Sequence, residues 1–193
     1  MGELRARTIV EAHLYLDLLR ADGGLGPDDP GDPEGWTTLV EGPISWILRA
    51  DGAGGRFAPF GITIAYADLA EARRTGVRFG PGRSTLIDAG QWLEMAEVYV
   101  EQAVEAEMAV TGGRDDLREE ALLAWRFAVD VAGEVLRFLP EGAAELPDTA
   151  FWTERSRQTR RADPERFTRA ALEHRVRTYR QLAEDATDLL RGS

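Results

Sequence analysis

A chain of 193 residues, 44% hydrophobic and 30% charged, can bury one good core, which excludes a disordered polymer. All 23 basic residues are arginine, lysine and asparagine are absent, and 34 acids leave a formal charge of −11. That charge opposes nucleic acid and anionic membrane and favours basic partners, while the lack of cysteine removes disulfides, thiol nucleophiles and thiolate metal sites. The arginine-only usage fits GC-rich codons, so it is not in itself a sign of phosphate recognition. No apolar run reaches the roughly 18 residues that span a bilayer, so a cytoplasmic protein is expected, without cofactor.

The first 65 residues read as a small antiparallel β region. Leu14, Leu16 and Leu18 alternate with His13, Tyr15 and Asp17, a period of two that suits a half-buried strand. A helix competes, because Thr8-x-x-Glu11 matches a capping box and Val10, Leu14 and Leu18 lie four apart; strand is the favoured reading. Thr37–Glu41 and Ile44–Arg49 form a second stretch, with Gly42-Pro43 as a bulge or edge position. Phe57–Ala65 is a third, held to an edge in its first half by Pro59. The phrase Leu-Arg-Ala-Asp-Gly occurs at Leu19–Gly23 and again at Leu48–Gly52. Both copies end in Asp-Gly, a hairpin cue, so each is expected to close a strand.

From residue 66 to 193 the period becomes about 3.6, and a helical bundle is expected. Ala67–Thr75 is a short helix stopped by Gly76. Asp88 with Gln91 makes a capping box for a helix whose stripe runs through Trp92, Met95, Ala96, Tyr99, Ala103 and Val104 to about Val110. After Gly112-Gly113, Asp116 and Glu119 are expected to cap a helix bearing Leu122, Trp125, Val129, Ala132, Val135 and Leu136. A short helix around Phe151–Arg160 precedes Asp163-Pro164, which reads as an N-cap with proline at the first helical position. Leu172, Val176, Tyr179, Ala183, Ala186 and Leu190 then form a heptad-like seam. Such stripes need partners, so the expectation is an α+β protein. A small antiparallel N-terminal sheet would pack on a C-terminal bundle of three or more long helices as one unit.

The two Leu-Arg-Ala-Asp-Gly phrases in turn contexts, with Glu11–Leu18 (EAHLYLDL), resemble the zinc-ribbon-like start of a set of uncharacterised actinobacterial and myxobacterial proteins. The resemblance covers about the first 65 residues and implies no activity. In that set the corresponding turns carry cysteine pairs; here Asp22 and Asp51 stand with glycines and no thiolate. Structural zinc takes four ligands, usually cysteine and histidine, so no metal site is expected.

Other chemistries lack their residues. His13 and His174 are the only histidines, and no His-Glu-x-x-His or Glu-x-x-His pattern occurs. None of the four serines sits in a nucleophile elbow. Phe79–Thr85 (FGPGRST) departs from a phosphate loop in glycine spacing and has Arg83 where lysine is required. Gly26–Gly35 holds Asp28, Asp29, Asp32 and Glu34 but lacks calcium-loop spacing and reads as a stiff acidic loop.

Charge placement is more informative. Glu94, Glu97, Glu101 and Glu105 form one acidic ridge, and like charges so spaced cost a few tenths of a kcal/mol per pair. Residues 153–180 carry nine arginines against four acids, a net of +5, whereas residues 1–152 carry a net of −14. Either those arginines neutralise the ridge inside the bundle, or the ridge faces a basic partner. The expected function is a non-catalytic interaction protein, such as a cognate inhibitor or immunity protein of a basic enzyme or toxin. Its contact residues would be Glu94, Glu97, Glu101, Glu105, Asp28, Asp29 and Asp32. The alternative is a small enzyme or binding protein for an anionic metabolite, built around His13, Asp17 and Arg49.

Overall fold

The fold is known from a computed structural model that describes residues 3–22, 36–51 and 58–192. It divides into two compact units, Met1–Ile87 and Asp88–Ser193. Ala65, where the periodicity changes, lies inside the first. The class is α+β, with a four-stranded sheet near the N-terminus and the long helices in the second unit.

The first unit opens with β1 (Leu4–Ala6) and α1 (Ile9–Asp22), followed by β2 (Thr37–Glu41), β3 (Ser45–Ala50), β4 (Phe60–Ala65) and α2 (Tyr66–Thr75). The sheet order is β1-β4-β3-β2. β2/β3 and β3/β4 are antiparallel, but β1 runs parallel to β4, with Leu4 opposite Ile62 and Ala6 opposite Ile64. The sheet is therefore mixed, not antiparallel, because the three residues of β1 add an edge that the sequence pattern did not announce. Ala6, Leu48, Ala50, Ile62 and Ile64 are its buried apolar side chains among the described residues.

The stretch expected as a strand at residues 13–18 is helical. Residues two apart on a helix point roughly 200° away from each other, yet Leu14 and Leu16 are both buried, as are Glu11 and Ala12. A helix covered on two sides thus imitates the alternation of a half-buried strand. Its start follows the competing reading: the Glu11 N–H donates to Thr8 Oγ1 at 3.2 Å, and the Ala12 N–H to the Thr8 carbonyl at 3.1 Å. The Glu11 carboxylate does not complete the capping box, because it is taken by Arg7. It accepts from the Arg7 backbone N–H at 2.7 Å and from the guanidinium Nη2 at 2.9 Å.

Gly42-Pro43 is neither bulge nor strand edge. It belongs to the turn of the β2–β3 hairpin, where the Gly42 N–H donates to the Ser45 carbonyl at 2.9 Å and the Tyr66 hydroxyl donates to the Gly42 carbonyl at 2.7 Å. β4 starts at Phe60, with residues 58 and 59 outside the strand, and residue 57 lies outside the described residues. α2 ends at Gly76 in the left-handed conformation (φ 68°), as the sequence implied. Phe79–Thr85 contains no helix start; its Gly82 carbonyl accepts from Arg7 Nη1 at 2.6 Å. A Cβ on Gly80 (φ 83°) would stand 2.9 Å from Arg7 Cβ, so this turn closes over the Arg7–Glu11 pair.

The second unit comprises α3 (Ala89–Thr111), α4 (Arg118–Leu136), α5 (Glu154–Ala162) and α6 (Arg169–Gly192). α3, α4 and α6 pack as a bundle. Ala103, Ala124, Trp125 and Ala186 form one core cluster, with Val100 and Ala183 against it. Ala106, Val110, Ala121 and Leu190 form another. All six residues of the α6 seam are buried or half-buried. Two expected caps fail. Asp116 is bound by Arg114 through two bonds of 2.9 and 2.7 Å, and α4 begins behind a 3-10 turn at Asp115–Leu117 with no side-chain cap. Asp163 likewise precedes a 3-10 turn, Pro164–Phe167, without capping it. Val104, assigned to the buried stripe, is 41% exposed.

Candidate functional site

The ridge helix α3 is anchored by Asp88, which is fully buried. Its backbone N–H donates to Gln91 Oε1 at 3.1 Å and its Oδ1 accepts from the Gln91 N–H at 2.9 Å, the expected capping box. The same carboxylate takes donors from the start of α5. Oδ1 accepts from Ser156 Oγ at 2.6 Å, and Oδ2 from the backbone N–H groups of Trp152 and Thr153 at 3.1 and 2.9 Å and from Thr153 Oγ1 at 2.8 Å. One carboxylate therefore sits at two helix N-termini, where exposed N–H groups and the helix dipoles favour negative charge. The approach requires glycine at position 90: a Cβ there would stand 2.5 Å from Ser156 Oγ and 3.1 Å from Ser156 Cα.

The four ridge glutamates divide into two pairs. Glu94 accepts from Arg155 Nε at 2.9 Å and from Thr159 Oγ1 at 3.3 Å. Glu97 accepts from Arg166 Nη2, with Arg175 Nη2 at 3.7 Å. Tyr179 lies in the same charged cluster, and burial pushes its phenol above the ordinary value. The first half of the ridge is thus neutralised from within the unit. Glu101 and Glu105 are exposed and form no ion pair among the described residues. Around them lie apolar side chains that should be covered: Val98 is 49% exposed and Met108 70%. With Val104, these five residues span roughly 120° of the helix circumference. The outward face of the C-terminal half of α3 is acidic and apolar together.

The remaining candidates lie elsewhere. Asp28, Asp29 and Asp32 are outside the described residues, as is the Asp22 side chain. His13 and Asp17 share a face of α1, half-buried and exposed respectively, and Asp17 approaches Arg20 at 3.7 Å. Arg49 is exposed on β3, opposite Thr38 and Gly61, and no hydrogen bond or ion pair joins it to His13 or Asp17. Among the described residues no group of three or more His, Asp or Glu side chains is arranged to hold a metal ion. None of their helices is long and apolar enough to cross a membrane. The part of the α3 face that the sequence did not announce is its apolar component, because Val98, Val104 and Met108 fit a buried stripe as readily as an exposed one. Comparison with protein-family models, with curated proteins and with solved structures finds no match to this chain.

Proposed function

We propose that this is a non-catalytic, cytoplasmic interaction protein that covers a basic partner, in the manner of a cognate inhibitor or immunity protein of a basic enzyme or toxin. The observation that carries this reading is the outward face of α3, where Glu101 and Glu105 stand unpaired among Val98, Val104 and Met108. Exposed apolar side chains flanking unpaired acids offer a basic partner both area to bury and charge to meet. The net charge of −11 adds long-range attraction for a cationic partner. Glu94 and Glu97 take a different part: their arginines fix the position of the ridge.

Co-expression with the products of the flanking genes, followed by pull-down, tests the reading. The partner retained should be basic, and E101Q/E105Q should slow its association about tenfold at low salt with an unchanged Tm. E97Q, by contrast, should lower the Tm. A clean monomer with no retained partner, or a double variant that binds at the wild-type rate, overturns the proposal.

A further inference from the structure

α5 and the turn before it hold three arginines in fixed positions. The Arg160 guanidinium stands over the rings of Phe151 and Phe167, 5.7 and 5.9 Å from their centroids. Its Nη1 donates to the Pro164 carbonyl at 2.9 Å, and its Nη2 to Glu145 Oε2 at 2.9 Å and the Leu146 carbonyl at 3.4 Å. Arg157 donates from Nε and Nη2 to the carbonyls of Phe151 and Trp152, at 3.2 and 2.8 Å. Arg161 donates from Nε to the Arg157 carbonyl at 3.2 Å. Both also reach Glu154, Arg157 at 3.5 Å and Arg161 at 2.9 Å. Together with Phe151 and Asp148, the three arginines line a cavity of about 260 Å³.

The manner of fixation matters. Main-chain carbonyls orient a guanidinium without cancelling its charge, and the acids that pair with these arginines, Glu154 with Arg157 and Arg161 and Glu145 with Arg160, are themselves exposed. A solvent-exposed ion pair of this kind contributes little and is readily exchanged. Each guanidinium carries five N–H donors, and the bonds described occupy no more than three on any one arginine. The remaining donors are forked and planar, which matches the oxygens of phosphate or carboxylate. Asp148 adds the opposite requirement. Beside three cations it disfavours a bare anion but accepts a hydrogen bond from a hydroxyl. The volume lies below the roughly 300–1,000 Å³ typical of sites for drug-sized ligands, which admits an anionic group with a short carbon body and not a nucleotide.

We infer that this cavity binds a small hydroxylated oxyanion, a phosphate monoester or a hydroxycarboxylate. The anionic group sits on Arg157, Arg160 and Arg161, and the hydroxyl donates to Asp148. The site stands on α5 and the preceding turn, so it does not depend on the acidic face of α3. Calorimetric titration of the full chain with glycerol 3-phosphate, malate and inorganic phosphate tests it and separates the two classes. One of the first two should bind with a Kd below about 1 mM. Inorganic phosphate, which has no carbon-borne hydroxyl to reach Asp148 while its oxygens sit on the arginines, should bind about fivefold more weakly. R161Q should weaken the favoured probe about tenfold, while R177Q, an exposed arginine outside the cavity, should leave it unchanged. D148A, which removes the acceptor, should erase the margin over inorganic phosphate, and Asp148 is exposed, so this variant reads the site without touching an arginine. Absence of saturation with all three probes, equal loss in R161Q and R177Q, or inorganic phosphate binding as tightly as both organic probes overturns the inference.

Discussion

Glu11 in the first unit and Asp88 in the second are both fully buried carboxylates, and the two are satisfied by opposite means. Glu11 is held chiefly by a cation, with Arg7 donating from Nε, Nη2 and its own backbone N–H. Asp88 has no cation. It accepts two hydroxyl and three backbone N–H donors, drawn from two helix N-termini. The difference is in what is left behind when the acid goes. The main donor to Glu11 is a side chain and can be removed with it. Three of the donors to Asp88 are main chain and remain.

The largest effect should come from separating the first pair. R7M leaves Glu11 buried without its cation and removes the Arg7 Nη1 bond to the Gly82 carbonyl, at a cost of about 3–5 kcal/mol in urea unfolding. Adding E11M should recover most of that loss, because a buried ion pair replaced by apolar groups of similar volume is often nearly neutral. Failure of the double variant to recover would mean that the backbone N–H of Arg7 governs the site, which would bring the two carboxylates closer in kind.

D88A comes next, at about 3 kcal/mol, from the lost cap of α3 and from the N–H groups of Gln91, Trp152 and Thr153 left without acceptors. Here no companion substitution should help: adding T153A and S156A removes the hydroxyls but leaves the N–H groups of Gln91, Trp152 and Thr153 unpaired. Recovery in the triple variant, read as the urea midpoint, would break the contrast.

Asp116 supplies the surface baseline and the smallest effect. Its two hydrogen bonds to Arg114 hold its carboxyl below the ordinary value of 3.8, although both side chains are more than 60% exposed. A folded-state value below the unfolded one adds stability that is complete above the ordinary carboxylate range. It is lost as pH falls through the depressed value. D116N should therefore flatten the pH dependence of Tm slightly below pH 3.8 and leave neutral stability almost unchanged, with the difference vanishing in high salt.

What the sequence made legible was local. The α+β class, the stop at Gly76, the seam of α6 and the Asp88–Gln91 box all rest on residues within a few positions of one another. The phrase Leu-Arg-Ala-Asp shows where that limit lies. Leu19–Asp22 is the last turn of α1, whereas Leu48–Ala50 is the end of β3 and Asp51 follows it. The same residues take helix in one copy and strand in the other, because pairing with Thr37 and Phe60 or burial on two sides decides the matter. The Asp-Gly step of each copy runs into residues outside the described set. The ridge is a second example. Its spacing was plain, but only the arrival of Arg155, Arg166 and Arg175 shows that Glu94 and Glu97 are occupied and Glu101 and Glu105 are not. The arginine cavity was legible only as a +5 segment; its shape comes from carbonyls at Phe151, Trp152 and Pro164.

Asp88 also joins two moments of folding. The donor from Gln91 is three residues away and is met as soon as the first turn of α3 forms. Those from Trp152, Thr153 and Ser156 are 64 to 68 residues away, and their closure waits on the loop entropy of everything between. The near half therefore belongs to the early structure of the unit and the far half to its completion. Q91A should therefore slow folding, while S156A should speed unfolding, read as the two limbs of a stopped-flow chevron. One residue would then set how fast the second unit forms through its near contact and how long it lasts through the far ones.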